Sequence, residues 1–187
     1  MLRLKRLQAE RKKKIAAEVP PPSDTRPTAN HQSKSNLCLQ RDIAELEPIA
    51  GVELHFPDAN DLQHFLALVT PMEGMYSGAT FSFTVEVPSS YPHDPPRVVC
   101  STLVFNPSIS WEGHLDLNVL RSDWTPLIGL RGVLMGLLWL FLEVHPYDCL
   151  NGEAAKLLED NPVEFERTVR QTLHGGQVLG RHFPKLI

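Results

Sequence analysis

Apolar positions along the chain follow two periods. Leu39, Ile43 and Leu46 repeat at i, i+4, i+7, on one face of a helix that Pro48 should end. The period then shortens to two. Val52–Phe56 is bounded by Gly51 and Pro57, and His64–Val69 lies between the turn Asp58-Ala59-Asn60-Asp61 and Thr70-Pro71. In Thr80–Val87, the side chains of Phe81, Phe83, Val85 and Val87 alternate onto one side, and Arg97–Cys100 makes a fourth brief strand. Short loops between successive strands predict an antiparallel meander. From Arg131 onward everything reads as helical. Val133–Leu142 is almost continuously apolar but is bracketed by Arg131 and Glu143, which predicts a core helix too short to cross a bilayer. Asn161-Pro162-x-Glu164 offers a capping side chain, a proline at the first helical position and an acid at the third. Phe165, Val169 and Leu173 then recur every four residues until Gly175-Gly176, and Asn151 should cap the shorter helix before. Helix, four strands, a long irregular segment and three helices make an α+β arrangement with helices on one face of a sheet.

Residues 1–35 break this pattern. Leu4 and Leu7 can share one side of a short helix, but Pro20-Pro21-Pro22 stops it and the following residues are polar. A flexible basic arm and linker is expected there, with the folded domain over 36–187. Charge sharpens the division. Residues 1–14 hold seven basic residues and one acid, a net +6, leaving −10 for the remainder of a chain whose total is −4. A basic arm on an acidic body suggests an acidic docking partner. Nucleic acid is not expected, because the arm has no aromatic side chain for base stacking. Three cysteines far apart make neither a disulfide framework nor a zinc spacing, so no metal or cofactor is expected. With no secretory signal read at the N-terminus, a cytoplasmic or nuclear location is the expectation.

The chemistry is concentrated in the irregular segment. Val104-Phe105-Asn106-Pro107-Ser108-Ile109 precedes Glu112-Gly113-His114-Leu115-Asp116-Leu117-Asn118, and Trp124 stands eight residues after Asp116. Tyr91-Pro92-His93-Asp94-Pro95-Pro96 lies upstream, and Tyr147-Asp148-Cys149-Leu150-Asn151 downstream. These elements resemble the active-site segment of ubiquitin-conjugating enzymes, with its Tyr-Pro-x-x-Pro-Pro element, His-Pro-Asn, glycine turn, catalytic cysteine and tryptophan eight positions later. The resemblance spans about residues 37–187 and is most specific from Tyr91 to Asn151. It is strongest to the neddylation branch, which conjugates a ubiquitin-like modifier to cullins. Leu140-Phe141-Leu142-Glu143, the ending Gly175-Gly176 with Phe183, and an arm beginning Met1-Leu2-Arg3-Leu4 with Leu7 are similar to that branch. The resemblance implies a UBC fold: an N-terminal helix, a four-stranded antiparallel meander sheet and C-terminal helices.

In that family an activating enzyme passes the modifier's terminal glycine to the cysteine as a thioester, which a target lysine then attacks. Here Asp116 stands at the cysteine position. A thiol with a reference pKa of ~8.5 gives a soft nucleophile and a good leaving group. A carboxylate is a poor nucleophile toward a thioester, and its acyl product would be a hydrolysable anhydride. Asp116 is therefore expected to be inert, a solvent-facing acid on a loop. Ser108 takes the place of the asparagine to which the family assigns the oxyanion or the related task of ordering the loop. Losing such a donor costs on the order of 10²–10³ in rate. Asn106, at the other end of the triplet, reads as a loop hydrogen-bonder. Asp148 occupies the position of the acid that orients the incoming lysine, or else caps the following turn. Cys149, beside it and expected near the cleft, is the alternative nucleophile, although an adjacent carboxylate disfavours a thiolate. Cys100 is expected to be buried in a strand.

Two functions follow from the resemblance. One is an inert conjugating-enzyme-like protein acting as a binding or structural module. The other is an active neddylation-type enzyme with an unorthodox nucleophile such as Cys149. Partners implied are the modifier, the activating enzyme, a RING ligase, or a larger protein assembly. Contacts are expected through Met1, Leu2, Leu4 and Leu7 of the arm, the first helix, and the loops around Pro71 and Pro107. Lys5 departs from the branch, which has phenylalanine after the fourth residue, and this weakens the expected arm contact.

Overall fold

The computed structural model describes residues 34–147 and 149–187. The expected arm lies outside them, except for its last two residues, which already belong to helix α1 (Lys34–Ala44). Strands β1 (Val52–His55), β2 (His64–Val69), β3 (Phe81–Glu86) and β4 (Arg97–Cys100) form one antiparallel sheet in sequence order. Register is set by pairs such as Val52↔Val69, Val69↔Phe81 and Phe83↔Cys100. The expected alternation is present: Phe65, Ala67 and Val69 of β2 and Phe81, Phe83 and Val85 of β3 turn inward and are buried. Ser82, Thr84 and Glu86 take the other face, as a two-residue period requires.

Helix α2 (Gly129–Leu142) covers the buried face through Leu130, Val133, Leu134, Leu137, Leu140 and Phe141. The Phe141 ring stacks on Phe81 with centroids 4.1 Å apart and meets Tyr76 edge-on at 5.3 Å. The Tyr76 hydroxyl donates to the Phe105 carbonyl at 2.6 Å, tying this aromatic centre to the irregular segment. No helix among the described residues is long and apolar enough to cross a membrane.

Two expectations need correction. Helix α1 stops at Ala44, so Leu46 packs on the core from beyond the helix end. The chain after Arg131 is also not uniformly helical. Residues 143–147 and 149–151 are irregular between α2 and α3 (Gly152–Asp160), and α4 (Pro162–Leu173) gives way to a hairpin of β5 (Gly176–Val178) and β6 (Arg181–Phe183). Gly175 and Gly176 have φ of 83° and 92°, which ends the helix. Leu179 and Gly180 both have positive φ, as a tight two-residue hairpin turn requires. Phe183 is buried, and the Arg181 guanidinium lies 4.1 Å over the Trp111 ring. Both expected caps form: Asn151 Oδ1 accepts from the Ala154 amide and Asn161 Oδ1 from the Glu164 amide, each at 3.1 Å.

Candidate functional site

The segment from Phe105 to Trp124 is held in place by polar contacts more than by regular structure. Asn106 is fully buried. Its Nδ2 donates to the Leu140 carbonyl at 2.8 Å, and its Oδ1 accepts from the Ser108 amide at 2.9 Å. Leu140 lies in the last turn of α2, where carbonyls lack an intrahelical donor, so Asn106 caps that helix from a distant part of the chain. Both functions of the amide are engaged, as expected of a loop hydrogen-bonder. Gly113 has a φ of 87°, and a Cβ there would lie 2.1 Å from the Cys100 carbonyl oxygen. Only glycine lets this turn approach the edge of β4, where its carbonyl accepts from the Cys100 amide at 2.9 Å.

Asp116 follows on the same turn, its amide donating to the Ser108 carbonyl at 2.8 Å. Its carboxylate is only partly exposed and is paired, where a freely solvated acid was expected. Oδ1 lies 2.9 Å from Nη1 of Arg121, and the side chain is 17% exposed. Arg121 Nη2 also donates to the Leu115 carbonyl at 2.7 Å, so one guanidinium bridges backbone and side chain of neighbouring residues. Nothing local in the sequence marked Arg121, which reaches back across a 3₁₀ turn (Asn118–Leu120).

A groove of about 460 Å³ opens at this carboxylate. Ser108 and Asp116 line it together with Trp139, Glu143, His145 and Tyr147. Ser108 Oγ has no hydrogen-bond partner among the described residues, so it faces the groove uncommitted. Trp139 is 46% exposed despite its place in an otherwise apolar helix. Of these groove residues, His145 had no readable sequence signal, whereas Glu143 and Tyr147 lie in segments that resemble the family and Trp139 holds an exposed position in the helical period.

Cys149 is exposed but does not line the groove. It sits on a segment that the Leu150 and Asn151 amides tie to the Pro107 carbonyl, each at 3.0 Å. Asp148 lies outside the described residues, as do Met1, Leu2, Leu4 and Leu7. Cys100 is buried as expected, and desolvation pushes its thiol up to about 11. Cys38 is half-buried on α1.

Pro71 and Pro107, expected at partner surfaces, are both buried. Each turns its carbonyl to internal amides, Pro71 to Gly78 and Pro107 to Leu150 and Asn151. Beside Pro71, Met72 is 75% exposed, and Glu73 and Gly74 after it are exposed too. The loop that lies against α1 is a different one. Pro126, Leu127 and Ile128 line a hollow with Arg41, Asp42 and Glu45 of the helix, and Leu127 is 97% exposed.

The Tyr-Pro-x-x-Pro-Pro element supports this arrangement from below. The Trp124 indole N–H lies 3.1 Å from both the Pro92 and His93 carbonyls, and its ring leans on Tyr91 at 6.0 Å. The Tyr91 hydroxyl donates to the Asp42 carboxylate on α1. Burial, with the Asp42 charge beside it, holds that phenol above the ordinary tyrosine range.

Comparison with known proteins agrees with this geometry. The ubiquitin-conjugating enzyme family model matches residues 38–173. The NEDD8-conjugating enzyme Ubc12 of Dictyostelium discoideum is 48% identical over 153 residues, covering 82% of this chain and 66% of that protein. The Nedd8-conjugating enzyme UbcE2M of Drosophila melanogaster is 42% identical over 151 residues, covering 81% and 83%. The solved structure of S. cerevisiae Ubc12 matches with a TM-score of 0.78 at 33% identity, covering 98% of each chain. A family match over most of the folded residues, joined to a four-stranded meander backed by helices, places this chain in the ubiquitin-conjugating enzyme family, with strong similarity to its NEDD8-conjugating members.

Proposed function

We propose that this chain is a catalytically inert, NEDD8-conjugating-enzyme-like protein that acts by binding partners. The observation carrying this reading is Asp116, a carboxylate at the mouth of the groove whose Oδ1 is paired with Arg121 at 2.9 Å. At the position proposed to match the family's cysteine, this oxygen is a weak nucleophile and is already engaged by a cation. Acyl transfer to it would break the ion pair and give a hydrolysable anhydride. The second family donor is also altered: Ser108 offers a short hydroxyl, and the Asn106 amide is used up in capping α2. Partners of the family type, an activating enzyme or RING ligase, would meet α1 and the exposed Leu127. The modifier, or a larger assembly, would use the groove face around Trp139.

A second reading keeps conjugation and assigns the thioester to Cys149. Its support is that Cys149 is exposed, on a segment anchored to the residue before Ser108. One experiment separates the two. The full chain is incubated with activating enzyme, NEDD8 and ATP and resolved on gels with and without reductant. The inert reading expects no reductant-labile adduct, and weak charging at most after Asp116→Cys. A labile adduct on the unaltered chain that disappears in Cys149→Ser would establish the second reading instead.

A further inference from the structure

A second groove, of about 740 Å³, lies on the other side of the Asp116–Arg121 pair, along the outer edge of β4. It is separate from the groove at Ser108 and Trp139, and nothing in the proposed function uses it. β4 is the last strand of its sheet, so one edge has no strand beside it. At Cys100 that edge is occupied, because the amide donates to Gly113. Strand amides alternate sides, so Val98, two residues earlier, also points its N–H and C=O outward. No acceptor meets that N–H among the described residues.

The lining around this open edge has a definite chemistry. Val99, which is 39% exposed, and Leu120 make an apolar floor, and Pro95 and Pro96 give a wall without N–H donors. Arg97 stands at the rim. It lies opposite Glu86 in the ladder, yet it takes part in no ion pair among the described residues. His114 stands nearby, against Asp94 as the acid of the lining, while the Arg121 guanidinium is already engaged by Asp116 and the Leu115 carbonyl. The body of the protein is acidic, but screening confines that field to about 8 Å at physiological ionic strength, so the local rim decides what binds.

We propose that this groove captures an extended acidic segment of a partner protein. Its backbone adds to β4 at Val98, an aliphatic side chain covers Val99 and Leu120, and a Glu or Asp carboxylate meets Arg97. Val98 is only 8% exposed and opens to solvent where it lines this groove; a strand edge reached in this way, beside alternating side-chain sites, is the geometry of peptide capture by strand addition. The free guanidinium supplies the preference for acid.

The test uses the full isotope-labelled chain and a short capped peptide of alternating valine and glutamate, followed by amide NMR. Saturable shifts are expected at Val98, Val99 and Leu115. Arg97→Glu, an exposed substitution, should weaken binding roughly two- to fivefold. Glu143→Gln, in the other groove, should leave it unchanged. Several results would overturn the proposal: equal binding of the valine–lysine counterpart or of oligothymidylate, undiminished binding to Arg97→Glu, shifts mapping elsewhere, or no saturable shift up to about 1 mM peptide.

Discussion

Replacing Asn106 with alanine tests whether this residue supports the fold or serves the groove. The Nδ2 bond at 2.8 Å satisfies the Leu140 carbonyl, which α2 itself leaves without a donor in its last turn. Leu140 is 6% exposed, so water does not readily replace the lost donor. Leaving such a carbonyl unpaired costs about 1–3 kcal/mol. The Ser108 amide loses its acceptor too, but it borders the open groove, where water substitutes at a cost of roughly 0.5–1 kcal/mol. Together the substitution should destabilise the chain by about 1.5–4 kcal/mol, a large part of the roughly 5–15 kcal/mol typical of a domain. Urea unfolding followed by tryptophan fluorescence measures this, with the midpoint falling and the slope m unchanged. In thermal unfolding the corresponding drop is about 3–16 °C for a chain of this size. A loss below about 0.5 kcal/mol would refute the capping role, because even a solvent-exposed pair of bonds is worth that much.

Other substitutions probe the same region. Gly113→Ala should cost more than 2 kcal/mol, since a Cβ placed 2.1 Å from the Cys100 carbonyl at positive φ forces the turn off β4; a Tm within about 2 °C of the parent chain would contradict this. A double-mutant cycle of Asp116→Asn and Arg121→Gln should give a coupling of about 0.5–1 kcal/mol that shrinks in salt, because Arg121 is 52% exposed. Coupling indistinguishable from zero at low salt would mean that the pair does not hold the turn. A thiol reagent at neutral pH should label Cys149 rapidly and Cys100 only on unfolding. The Cys100 thiol is raised to about 11 in the fold, against ~8.5 unfolded, so the stability it contributes is present below the lower value and fades as pH climbs toward the upper. Fast labelling of Cys100 in the native chain would contradict its burial.

Local periodicity was enough to place the sheet. Phe81, Phe83 and Val85 alternate inward because a strand turns successive side chains to opposite faces, and no neighbour can change that. Asn151 and Asn161 likewise announced two helix starts, since a cap is satisfied within three residues of itself. The glycine turn, the tryptophan and the Tyr-Pro-x-x-Pro-Pro element made the family readable through their spacing. The hairpin after α4 was missed because Gly175-Gly176 reads equally as an end or as a turn into new structure. What chose between these was the burial of Phe183 and the seat of Arg181 on Trp111.

The groove depended on contacts of another kind. Asn106 meets Leu140 across thirty-four residues, and Arg170 donates to the Gly74 carbonyl across ninety-six. The Asp116–Arg121 pair spans only five residues, yet it needs the turn between them to double back. Leu127 is left exposed beside α1 while Pro71 and Pro107 are buried, their carbonyls meeting internal amides. Short-range pattern thus dictated which faces of each element would be apolar, because that follows from backbone geometry residue by residue. Folding alone decided which polar groups met at the cleft, because those meetings join segments with no repeating relation along the chain.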